Sequence, residues 1–230
     1  MKIPLTCLST RPMTAERTWT VEGVPALTAA VSLPDTAAED RISRRIRRYY
    51  RLQCRAFLHY CERELLPQAA AELRAALAAS RPLPVFRAEL TYQETYNEGG
   101  LWSLYTQSRE SGPGWNPVLL RHGDTWDLTG GYPVPLSAFF AGKSGWKRRL
   151  LESAREEVLR RESAEGRRYR DGVRRLLRRR FNAQNFYLTK EGLVFFYPMY
   201  AIAPAGEGIP AFLVPYGPGG AALPEQGVRR

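Results

Sequence analysis

A chain of 230 residues that is 44% hydrophobic and 25% charged, with a net charge of +11, is long enough to bury a sizeable core and ordinary enough to fold by itself. No apolar run approaches the roughly 18 residues of a membrane span, and the N-terminal MKIPLTCLSTRPM is too short in apolar residues for a signal peptide. The expected location is therefore cytoplasmic, or extracytoplasmic if a signal or membrane segment lies upstream.

In chain order, Thr18 to Val21 and Leu27 to Leu33 read as short strands. Thr36-Ala-Ala-Glu39 has the form of a capping box, which predicts a long helix from Thr36. Ile42, Ile46, Tyr49, Tyr50, Phe57, Cys61 and Leu65 recur at helical spacing along it. Pro67 should kink or restart the helix, and Ser80 to Pro84 should end it. The period then becomes two: Val85 to Tyr96 and Leu101 to Arg109 predict paired strands joined by a turn at Asn97 to Gly100. Pro117 to Arg121 predicts a third strand, His122-Gly123-Asp124 a turn, and Gly130-Gly131 another. Leu136 to Phe140 reads as a short plug with its aromatic pair in the core. A second helix is expected from an N-cap at Ser144, with Leu150, Leu151, Ala154, Val158 and Leu159 inward. A third follows Gly166, carrying Tyr169, Val173, Leu176, Leu177 and Phe181, and its other face is mostly Arg. The neutral, aromatic C-terminal stretch reads as strand, turn, strand, loop and strand between Phe186 and Tyr216.

These elements predict an α+β fold, a mixed or antiparallel sheet packed by a long N-terminal helix and two basic helices. The expected organisation is an extension over 1–17, a domain over 18–217 with halves 18–141 and 142–217, and a flexible tail over 218–230.

The chemistry-bearing residues are few. Cys54 and Cys61 lie seven apart on one helix, about 10 Å of rise, too far for a disulfide. With Cys7 they make an odd number, and there is no Cys-x-x-Cys, so no disulfide framework, metal or cofactor is expected. Phosphate-loop, His-Glu-x-x-His and Gly-x-Ser-x-Gly patterns are missing from the sequence. His122, near Asp124 and Asp127, is the one position for acid–base work. Glu89 and Glu94 make a glycosidase pair only in principle, because five positions apart on a strand they point to opposite faces. Tyr92, Tyr96, Trp102 and Tyr105 on the paired strands, with Trp115 in a Pro/Gly loop, are candidates for a binding surface. Arg174, Arg175, Arg178 and Arg179 are candidates for phosphate binding, against the plainer reading of a solvated face.

The stretch FYLTKEGLVFFYPMYAIAPAGEGIPAFLVPY resembles the C-terminal domain shared by RsiV-type anti-sigma factors and PdaC-type peptidoglycan deacetylases. The likeness is carried by Phe186, Tyr187, Leu188, Thr189, Gly192 and Leu193, then Tyr200, Ala203 and Pro204, then Gly208, Ile209, Pro210, Phe212, Pro215 and Tyr216. Weaker similarity, including WDLTGGYPVPLSAFF, extends it over most of residues 18 to 217. Where many members have Gly-Gly-Ala-His, this chain has Ser111-Gly-Pro-Gly-Trp115. The resemblance implies a non-catalytic binding or sensing module whose partner is a protein, lysozyme-like or other, or a cell-wall glycan. It also implies partner contacts at Pro198 and Tyr200, with Trp115 as a neighbour. The alternatives are a cytoplasmic nucleic-acid-associated protein using its Arg-rich helices and a cryptic cell-wall hydrolase.

Overall fold

The computed structural model describes residues 7–114, 116–140, 144–218 and 220–224. Trp115 and the end of the expected tail lie outside the described residues. The α+β expectation holds, with the strands in two sheets: the first six lie side by side in chain order in one sheet, and the last three lie in chain order in a second. The chain divides into two compact units, one of Ser9–Tyr92 and Thr106–Leu120, the other of Met1–Leu8, Gln93–Tyr105 and Arg121–Arg230.

In the first of these units β1 (Thr10–Val21) and β2 (Val24–Thr36) form an antiparallel hairpin. Its turn residues Glu22 and Gly23 both have positive φ, 53° and 78°, the backbone of the tight turns that match strand twist. The first strand thus begins well before the expected Thr18. Its outward residues are largely exposed, so no alternation of apolar residues marked it.

The first helix, α1 (Arg41–Tyr60), starts later than expected. Asp40, not Thr36, caps it, its Oδ1 accepting from the backbone N–H of Ile42 at 2.9 Å and of Ser43 at 3.0 Å. Thr36 instead ends β2, where Arg47 donates to its carbonyl and pairs with Asp35 at 3.2 Å and Glu39 at 2.9 Å. Cys61–Leu65 widens into a π turn before α2 (Leu66–Ala78). Pro67, at the start of α2, has no N–H for the carbonyl of Arg63 and its ring would crowd that carbonyl, so the expected restart falls there. Ile46, Tyr50, Cys54, Phe57, Cys61, Leu65 and Leu73 are buried, and the helices return the chain to β3 (Phe86–Glu98), whose Phe86–Leu90 portion runs parallel to β2. Beneath the π turn Glu110 is buried and accepts from the Tyr60 hydroxyl at 3.1 Å. Burial pushes its carboxyl above the usual range.

The second unit holds the far end of β3, the first half of β4 (Leu101–Ser111), most of β5 (Val118–Asp127) and all of β6 (Tyr132–Pro133). Gly99 and Gly100 make the expected turn with φ of 61° and 77°. His122-Gly123-Asp124 is not a turn: it lies inside β5. A Cβ on Gly123 would stand 1.9 Å from the Phe186 carbonyl oxygen, so the glycine marks a close backbone approach rather than a bend. Leu136–Phe140 forms a 3-10 turn with Leu136, Phe139 and Phe140 buried.

Helix α3 (Trp146–Glu165) begins after Gly145 in a left-handed conformation with no side-chain cap, which corrects the N-cap expected at Ser144. It buries Leu150, Leu151, Ala154 and Val158, whereas Leu159 is 49% exposed. Gly166 ends it at φ 64°. The third expected helix shrinks to α4 (Val173–Arg179), seven residues long. The antiparallel strands β7 (Phe186–Leu188), β8 (Gly192–Phe196) and β9 (Ala211–Pro215) follow. Phe195 is central in this sheet, 5.4 Å from the Phe212 ring and 6.0 Å from the Tyr197 ring. The Tyr197 hydroxyl donates to the Leu177 carbonyl at 2.8 Å, so the neutral C-terminal stretch forms the wall on which the basic helices pack their apolar sides.

Candidate binding site

The segment from Tyr197 to Pro210 connects β8 to β9 and is fastened at both ends. The Tyr197 N–H donates to the Pro210 carbonyl at 2.9 Å, and Tyr197, Ile202 and Ala203 are fully buried. Between these anchors Pro198 is exposed and Tyr200 is 38% exposed at φ 67°. A bulky non-glycine residue in the left-handed region costs on the order of 1–3 kcal/mol. The loop therefore holds an aromatic side chain at the surface in a conformation its own backbone disfavours.

The same loop borders a cleft of about 300 Å3 lined by Arg160, Arg161, Arg167, Tyr169, Glu207 and Ile209, among others. Its guanidiniums are engaged: Arg160 with Glu157 at 2.7 Å and Glu165 at 2.8 Å, Arg161 with Glu157 at 2.7 Å, and Arg167 with Glu207 at 3.3 Å. The hydrogen bond from Arg160, followed by Arg161, holds the Glu157 carboxyl down to about 2. Glu207 also accepts the Arg168 N–H at 3.0 Å, and the Arg170 N–H donates to the Ile202 carbonyl at 2.9 Å, so segment 167–170 lies along the loop. Sequence reasoning missed this cleft, because it depends on which Glu meets which Arg.

The basic surface of α4 differs. Arg174, Arg175, Arg178 and Arg179 are exposed, and among the described residues none of them has a carboxylate partner. Positions 174 and 178, and 175 and 179, are each one helical step of four apart, so they form two short rows. Val173 and Leu176 pack against the core and Leu177 is buried in it. Because guanidiniums in such rows act on phosphates by counterion release, retention on duplex DNA should be salt-steep. Four contacts lose about 10²-fold in affinity between 50 and 200 mM salt. A mobility-shift titration at both salt levels checks this, and binding that survives physiological salt with sequence preference contradicts it.

The acid–base candidate His122 contacts Asp124, its Nε2 lying 3.2 Å from Oδ1, the imidazole 47% exposed and the carboxylate 8%. Residues two apart on a strand share a face, which a turn would not have given. The Asp124 hydrogen bond raises the His122 pKa. The stability this pair contributes is fully present below the unfolded value of about 6.5 and is lost as pH rises through the higher folded value. Asp124→Asn should lower the His122 pKa in an NMR titration of the imidazole protons and flatten the fall in stability across that window. An unchanged titration contradicts the assignment.

Of the remaining candidates, Glu94, Tyr96 and Trp102 are spent on structure. The Ser103 hydroxyl, buried, donates to the Asp124 carbonyl at 3.1 Å, sits 2.8 Å from the Thr125 hydroxyl and accepts the Leu188 N–H at 2.9 Å. Glu94 accepts from the Trp102 indole at 2.7 Å and from Asn97 at 3.2 Å, while Glu89 is exposed on β3. Tyr96 and Trp102 are buried, and Tyr92 and Tyr105 are half-buried. Cys7 is exposed, and Cys54 and Cys61 are buried free thiols. Among the described residues no group of His, Cys, Asp and Glu is placed to hold a metal ion, and no helix is long and apolar enough to cross a membrane.

A mixed α+β domain with an aromatic surface loop is what fold and site together define. Residues 138–217, which include that loop, match the model of a family described as a protein of unknown function, DUF3298. A solved DUF3298 family member from Bacteroides fragilis is similar over 93% of this chain and 92% of its own, at 17% identity and a TM-score of 0.67. Another, from Pseudomonas aeruginosa PAO1, is similar over 91% of both chains at 18% identity and a TM-score of 0.58. At such identities the likeness is one of fold. No curated protein matches the sequence.

Proposed function

We propose that the chain is a non-catalytic binding or sensing module of the RsiV type, recognising a protein or a cell-wall-related ligand through the loop at Pro198 and Tyr200. The observation that carries this reading is Tyr200, a partly exposed aromatic held at φ 67° between buried anchors. A backbone that keeps Tyr in the left-handed region, where Gly would be at ease, retains a side chain that large-area, low-entropy contacts use. The hydrogen bonds from Trp102 and Asn97 that hold Glu94 within the fold favour binding over hydrolysis by a carboxylate pair.

Titration calorimetry with a c-type lysozyme and, separately, with soluble muropeptides tests the proposal. Binding of either, lost in Tyr200→Ala, is expected; no binding of either, or binding that Tyr200→Ala leaves intact, refutes it.

A further inference from the structure

Among the described residues the strand β9 is the edge of its sheet, paired on one side only. The Pro210 carbonyl bonds the Tyr197 N–H across to β8, which fixes the alternation: Phe212 and Val214 turn their backbone groups to β8, and Ala211 and Leu213 turn theirs outward. Among the described residues, those outward N–H and C=O groups have no partner. Proline, a common edge guard, occurs only at the ends of this exposed row, at Pro210 and Pro215. Beside the row stands one ridge of α3, with Ser153, Glu157 and Arg160 at helical steps. Ridge and strand edge enclose a groove of about 510 Å3 at Leu213, and it runs on at Arg160 and Arg161 into the cleft at Ile209 to Ala211. Leu213 is 44% exposed on its border.

We infer that this groove takes an extended peptide segment of a partner protein as a fourth strand on β9, with a basic side chain of that segment at Glu156. Only another extended backbone matches donors and acceptors repeating every second residue along an edge, and a helix wall beside such an edge confines the incoming strand. Charge selects the segment: the rim guanidiniums are all engaged by Glu157, Glu165 and Glu207, whereas Glu156 is exposed and uncompensated among the described residues. In a chain of net charge +11 this border favours a Lys or Arg and disfavours further carboxylates. The inference does not rest on Tyr200, so the two readings fail separately.

The probe is an acetylated, amidated heptapeptide of alternating Thr and Val with one central Lys, compared with the same peptide carrying Glu, and with one N-methylated at alternate residues. Fluorescence anisotropy gives affinity, and NMR hydrogen exchange follows the Ala211 and Leu213 amides. The Lys peptide should bind, slow both amides by about tenfold or more, and outcompete the Glu peptide. N-methylation in the register that blocks the ladder should abolish binding without touching the protein. Leu213→Pro, which deletes one outward donor at a position an edge strand tolerates, should weaken binding about tenfold, while Leu213→Ala stays within about twofold. Tyr200→Ala should leave peptide affinity unchanged. The inference is overturned if no peptide slows those amides, if N-methylation has no effect, or if the amides are already protected in the free protein by concentration-dependent pairing of two copies.

Discussion

Replacing Gly123 with Ala is expected to cost about 3 kcal/mol or more of folding stability, at the upper end of overpacking substitutions. The added Cβ would lie 1.9 Å from the Phe186 carbonyl oxygen and 2.7 Å from its carbonyl carbon. Both neighbours are backbone, so no rotamer change relieves the clash, and β5 and β7 must separate. Separation pulls on the Leu188 N–H bonded to Ser103 at 2.9 Å and on the Phe186 ring packed 5.8 Å from Phe139. For a chain of this size the loss corresponds to a fall in Tm of roughly 6–12 °C, read by circular dichroism. Gly99→Ala is the control: its φ is 61°, but a Cβ there meets nothing within 4 Å, so only the left-handed penalty of about 1 kcal/mol applies. Equal losses in the two variants would contradict the close approach.

The Gly123 case also shows where the sequence stops speaking. His-Gly-Asp has the composition of a turn, and only the arrival of β7 from residues far along the chain makes the glycine a strand residue. Local signals were legible wherever the cause was local. The period of α1, the glycines after Asn97, the helix stop at Gly166 and the break around Pro67 each follow from neighbouring residues. Asp40 won over Thr36 as N-cap because Thr36 is committed to β2 and to Arg47. The extended β1 was invisible because an edge strand of Thr, Arg and Glu buries little besides Trp19. Of the candidate site, Tyr200 was legible through the family resemblance, which implied contacts at Pro198 and Tyr200. Its positive φ was not, since nothing in Pro198-Met199-Tyr200 predicts a left-handed backbone, and the free edge of β9 depends on strand order.

Tyr200 yields a second prediction, in which stability and binding are expected to part. Truncating its side chain to Ala loses the buried part of the ring, about 1–2 kcal/mol at the usual cost per area, and keeps the backbone penalty, because Ala is as ill-suited to φ 67° as Tyr. Truncating it to Gly loses the same ring and releases that penalty. Gly should therefore be more stable than Ala by about 1 kcal/mol, the reverse of their order in ordinary extended or helical positions. Chemical denaturation with a common m-value measures the difference. Both variants lack the aromatic contact, so both should bind the ligand found by calorimetry about 30-fold more weakly or worse, the 2 kcal/mol of a hot spot. A residue that merely packs would show the stability effects with unchanged affinity. If Ala proves the more stable variant, the left-handed conformation is not what holds Tyr200 at the surface. The two measurements thus separate the backbone that presents the ring from the surface the ring is presented to.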